Sequence, residues 1–157
     1  MIPTSPDYIY YPAAFDVNSF LGATEPFYSR ADVQANLMID SLILSLESDG
    51  YNVQAKVFVE GFSTGGMFSQ RYGVLHPERI KALAAGHIGG FITLPIYEYD
   101  YTDLNWPLGL NDYEILIGNQ FKFNEYANLP QFLYIGENDT KKSLLKILVC
   151  WVLRGLM

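Results

Sequence analysis

Apolar positions along the chain fall into two rhythms. Within residues 30–48, Val33, Leu37, Met38, Leu42, Ile43 and Leu46 recur at the intervals that line one face of an α-helix. Ser29 with Asp32 three residues on fits a capping box at the start, and Gly50 supplies a left-handed stop. The apolar stripe of this helix reads as core. Short apolar runs follow at 57–60, where branched and aromatic side chains dominate, at 80–85 and at 132–135, each closed by a glycine, and these read as strands. Between the first two runs, Met67, Phe68, Tyr72 and Leu75 return to helical spacing until Pro77 ends it. Residues 119–129 read as a short helix with Phe123 and Tyr126 inward, stopped by Pro130. Helices alternating with strands require crossover connections. The pattern therefore predicts an α/β fold with a mainly parallel sheet and flanking helices.

Two stretches break the rhythm. Residues 1–28 carry Pro3, Pro6, Pro12, Gly22 and Pro26 around the aromatic run Tyr8-Ile9-Tyr10-Tyr11, which suits an edge strand or a surface loop. Nothing in them reads as a signal peptide, so a cytoplasmic location is the default expectation. Residues 91–118 show little periodicity and many aromatics, among them Tyr97, Tyr99 and Trp106, with Pro95, Pro107 and Gly109 as breaks. A connection of this length in a small domain is commonly functional. Its aromatics either line a substrate pocket or pack the insertion onto the body.

Candidate chemistry sits where the first strand run meets the following helix. Residues 56–68 read Lys-Val-Phe-Val-Glu-Gly-Phe-Ser-Thr-Gly-Gly-Met-Phe, a G-x-S-x-G pattern between strand and helix. A serine at such a turn is held in strained backbone, and small neighbours let strand and helix close behind it. Gly61 and Gly65 are the expected small neighbours. The helix start aims unpaired N–H groups at the same spot, where they can hold a developing oxyanion. Ser63 is thus the candidate nucleophile and the Thr64 N–H a candidate oxyanion donor. A glycine-rich turn without chemistry is the plain alternative.

The residues Glu60-Gly61-Phe62-Ser63-Thr64-Gly65-Gly66 resemble the nucleophile turn of the α/β-hydrolase superfamily. His76-Pro77-Glu78-Arg79-Ile80-Lys81-Ala82 looks like its step into the next strand. Residues 130–139 look like the strand whose end presents the triad acid. The resemblance covers about residues 29–140. It implies a serine hydrolase cleaving esters or amides, with Asp139 as the acid, Glu137 as runner-up, and 91–118 as a cap or lid over the cleft. The family order is serine, acid, histidine, yet no histidine follows Asp139. His76 belongs at the far end of the nucleophile helix, about 20 Å away by helical rise, in a capping or solvated role. His87 ends a neighbouring strand, where the family pattern places no base. The second oxyanion donor has no recognisable loop.

Composition adjusts this picture at the C-terminus. The chain has 157 residues and a net charge of −7, which argues against nucleic acid or an anionic membrane surface as partner. Residues 1–140 hold six Lys or Arg against all 17 acids, net −11, whereas 141–157 hold four bases and no acid, net +4. The tail is apolar from Leu144, yet its 14 residues fall short of a membrane span, which takes about 20. It reads as a buried or interfacial segment, a self-association surface, or sequence foreign to the family. One incomplete α/β-hydrolase-like domain over 1–157 is therefore expected, lacking the N-terminal strands and the histidine. The expected substrate is a small carboxylic ester cleaved weakly or not at all, with peptide cleavage or non-catalytic binding as alternatives. No metal cluster, dinucleotide fingerprint or phosphate loop is present, so no cofactor is implied. Cys150 is the single cysteine, so no internal disulfide can form.

Overall fold

The computed structural model describes residues 31–88 and 92–137. Helix α1 (Ala31–Ser48) is followed by Gly50 in the left-handed region, φ 88°. Strand β1 (Val57–Phe62) passes through Ser63 into helix α2 (Thr64–Leu75). A 3-10 turn (Pro77–Arg79) opens on proline, whose missing N–H costs nothing at a helix start, and feeds strand β2 (Ile80–Gly86). The long connection that follows contains a two-stranded antiparallel hairpin, β3 (Glu98–Tyr99) and β4 (Thr102–Asp103), and a short helix α3 (Tyr113–Ile117). Helix α4 (Phe123–Ala127) and strand β5 (Gln131–Tyr134) complete the described chain. The first strand runs two residues beyond Glu60, through Gly61 to Phe62. The helix expected over 119–129 is reduced to five residues, with Phe123 58 % exposed and only Tyr126 turned inward.

The sheet has the order β1-β2-β5, all parallel, which places the chain in the α/β class. Register pairs Val59 with Leu83, Gly61 with Ala85 and Ala85 with Leu133, so these side chains share one face. That face is covered by α2. Met67 packs with Ala85 and Leu133, while Tyr72 packs with Leu83, Leu129 and Val59. Connections between parallel neighbours are right-handed, and strands added in one direction keep every connection on the same side. The opposite face, with Phe58, Glu60 and Phe62 of β1 and Phe132 of β5, is exposed.

Helix α1 spans the expected residues but turns a different side to the body. Val33, Leu37, Met38 and Leu42, expected in the core, are exposed. Only Ala35 and Ile39 reach the cluster around Tyr72. The inward side is instead polar. The Asp32 carboxylate is fully buried and lies 2.8 Å from His76 Nε2, Tyr72 donates to Asn36 Oδ1 at 2.6 Å, and Arg79 pairs with Asp40. Buried polar groups require such partners, and these partners lie only on this side. Ser29, the other half of the expected capping box, lies outside the described residues.

The connection after β2 has a small core of its own, in which Trp106, Leu110 and Tyr113 close on Val74 and Leu75 at the C-terminal end of α2. Nearer Ser63 along α2, the Gln70 amide donates to the Thr93 carbonyl at 2.9 Å and accepts from the Thr93 N–H at 3.2 Å. Both groups are buried, so this pair fixes where the connection leaves the sheet.

Candidate functional site

Ser63 lies between the last residue of β1 and the first of α2, at φ 57° and ψ −118°. A positive φ is rare for a residue with a side chain and costs about 1–3 kcal/mol, so the surroundings must hold it there. Two backbone bonds do so. The Ser63 N–H donates to the Gly86 carbonyl at 2.9 Å, anchoring the turn to β2, and its carbonyl accepts from the Met67 N–H at 3.0 Å as the first bond of α2. The N–H groups of Thr64, Gly65 and Gly66 precede that bond and have no acceptor within the helix. The Ser63 side chain is exposed and makes no capping bond to its own helix. A hydroxyl that makes no capping bond and a set of N–H groups without acceptors in the helix thus share one end of the sheet.

The glycines divide the work differently from expectation. A methyl group on Gly61 would overlap the Gly65 carbonyl and the Ser69 hydroxyl, so this position needs glycine. A methyl on Gly65 would meet nothing within 4 Å. The close approach belongs to Gly66, where an added Cβ would sit 2.6 Å from the Gly86 carbonyl oxygen. Gly65 contributes its backbone to the packing; its missing side chain relieves no contact.

Each histidine is otherwise engaged. His76 caps α2 with its N–H on the Tyr72 carbonyl at 2.8 Å, and its ring meets Asp32, with Asn36 close by. The 12 residues of α2 put about 18 Å of helix between Ser63 and this Asp–His pair, too far for proton transfer. The capping role was readable from the sequence. The tie to α1 was not, although Asp32, Asn36 and Asp40 at four-residue intervals form a polar stripe. His87 follows β2 with φ 45°, donates its N–H to the Tyr134 carbonyl at 2.9 Å, and stacks on Phe62 at 5.4 Å between ring centroids.

The aromatic pocket candidates separate. Trp106 is 4 % exposed and meets Tyr113 edge-on at 6.0 Å, so it belongs to the small core of the connection after β2. Tyr97 and Tyr99, on and beside the small hairpin, are 51 % and 63 % exposed. Asp139 lies outside the described residues, as does the tail 141–157; Glu137 is the last residue described. A groove of about 490 Å³, bordered by Lys56, Lys81, Glu125 and Asn128, lies across the N-terminal ends of the strands, the opposite end from Ser63. Open parallel sheets bind ligands at their carboxyl ends, so this groove is not part of the serine site. Among the described residues no helix is long and apolar enough to cross a membrane. No protein-family model matches the chain, nor does any curated protein or solved structure.

Proposed function

We propose that the chain carries the nucleophile half of a serine hydrolase acting on carboxylic esters. The observation that supports this reading most is the backbone of Ser63. A positive φ at an exposed serine, between a parallel strand and a helix, is costly, and it presents the hydroxyl to solvent beside N–H groups that have no acceptor within the helix. In the proposed reaction the Ser63 Oγ attacks the ester carbonyl, the carbonyl oxygen becomes an oxyanion held by the Thr64 N–H, and the alcohol leaves an acyl-serine for water to cleave. The strand order β1-β2-β5 also supports the α/β-hydrolase resemblance, since a carboxylate just beyond β5 then lies two strands from the nucleophile. Asp139 is the proposed acid. The exposed Tyr97 and Tyr99 remain proposed pocket residues within a lid formed by 91–118.

Turnover by this chain is proposed to be weak, because His76 is committed to Asp32 at the far end of α2 and the His87 ring lies flat on Phe62. Peptide cleavage uses the same apparatus and would be sought with amide substrates. Reaction of the folded chain with a fluorophosphonate probe tests the proposal. Slow labelling confined to Ser63, lost in Ser63→Ala, is the expected result. A folded chain, verified by near-ultraviolet circular dichroism, that takes up no label would reject the nucleophile and favour a binding module.

A further inference from the structure

Both faces of an all-parallel sheet are normally covered, yet one face of this sheet is bare among the described residues. Register places Phe58, Glu60 and Phe62 of β1, Ala82, Ala84 and Gly86 of β2, and Phe132 and Tyr134 of β5 on that face. Phe58, Phe62 and Phe132 are 72 %, 62 % and 66 % exposed. The one carboxylate among these side chains, Glu60, has no hydrogen-bond or ion-pair partner among the described residues. An apolar cover laid over it would desolvate the charge at a prohibitive cost unless a cation accompanies it. Lys81 lies over the Phe58 ring at 5.5 Å but donates to Gln54 Oε1 at 2.7 Å, which leaves the cover to supply one.

That requirement discriminates between possible occupants. Residues 1–30 hold Asp7, Asp16 and Glu25, with Arg30 as their sole basic side chain. A second copy related by a two-fold axis would bring another Glu60 to the same surface. Residues 144–157 are apolar, free of acids, and carry Lys146 within the run Leu144-Leu145-Lys146-Ile147-Leu148-Val149. Their position also fits. The chain leaves β5 at the edge strand of the sheet, and residues 138–143 can reach about 20 Å, against a sheet only about 10 Å across from β5 to β1.

We propose that residues 144–157 occupy the bare face of the sheet, with the Lys146 ammonium paired to Glu60. The strongly acidic body and the basic tail then form one unit, and the aromatic face is removed from water.

Cys150, the single cysteine, reports on this directly in the full 157-residue chain. Its alkylation under native conditions is expected to be slower than in denaturant by at least about tenfold. Glu60→Lys sets two cations against each other and should return the rate toward the denatured value; adding Lys146→Glu should restore protection. Should Glu60→Lys fail to fold, Phe132→Cys supplies a second test. Oxidation is expected to join it to Cys150, whereas Leu44→Cys, on the exposed side of α1, should not cross-link. A fully reactive Cys150 in a folded chain, protection indifferent to Glu60→Lys, a cross-link at position 44 in place of 132, or protection that vanishes on dilution would each overturn the proposal. The last outcome would point to a second copy on the face.

Discussion

Ser63 and the glycines behind it carry the structural argument at the scale of single residues. Gly61→Ala is expected to cost about 3 kcal/mol or more, because the methyl meets backbone that can yield only by separating β1 from α2. Gly65→Ala meets open space and, in the first turn of a helix, should be neutral or stabilising by up to about 1 kcal/mol. Urea denaturation of the two variants checks this, and equal losses would mean that the turn does not close as described. The pattern G-x-S-x-G was legible because its spacing is local. Which glycine is crowded was not, because the answer depends on the Gly86 carbonyl of the next strand, 20 residues further along the chain than Gly66. The stacking of His87 on Phe62 was likewise invisible to spacing, since it is set by strand register.

At the scale of elements, helix α1 shows what periodicity reveals and what it leaves open. Its length was readable to within one residue. Its orientation was not, because the sequence carries two regular stripes, the apolar one and the polar one of Asp32, Asn36 and Asp40. Partners on α2 and the turn after it decide between them. Tyr72 is the centre of that contact, 1 % exposed, with Phe68 stacked on it at 5.8 Å. Burial pushes its hydroxyl above the ordinary value of 10.0, with the nearby Arg79 guanidinium offsetting part of the rise and Glu78 and Asp32 adding to it. The neutral phenol is therefore the form that the fold retains. Its contribution is complete below the unfolded value of 10.0 and is lost as pH climbs past it toward the raised value. Burial also raises Tyr126. Wild type should thus lose stability above pH 10, and Tyr72→Phe should lose less over the same interval, although its missing bond to Asn36 costs about 1 kcal/mol at neutral pH. Chemical denaturation on both sides of pH 10 measures the two slopes, and identical slopes would remove Tyr72 as the responsible group.

At the scale of the whole molecule, the described residues form an α/β body whose connection after β2 is anchored at the end of α2 remote from Ser63. Trp106→Ala should cost about 3–5 kcal/mol by opening the cluster with Val74, Leu75 and Tyr113. The rate of Ser63 labelling per folded molecule should stay unchanged. A thermal melt and a labelling time course separate the two effects, and altered probe preference at unchanged stability would return Trp106 to a pocket. The fold class was legible because alternating helices and strands admit few arrangements. The bare face was not, because the helical connections are visible in sequence while the side on which they fall follows from strand order.

That strand order carries a consequence for how the molecule is made. The strands stand in the sheet in the order in which they are synthesised, β1, β2 and β5, and each pairs with the one before it. A growing chain emerging from the ribosome can therefore dock every new strand onto an edge already in place. No earlier pairing has to reopen to admit a later strand, so assembly can keep pace with synthesis from the amino end onward.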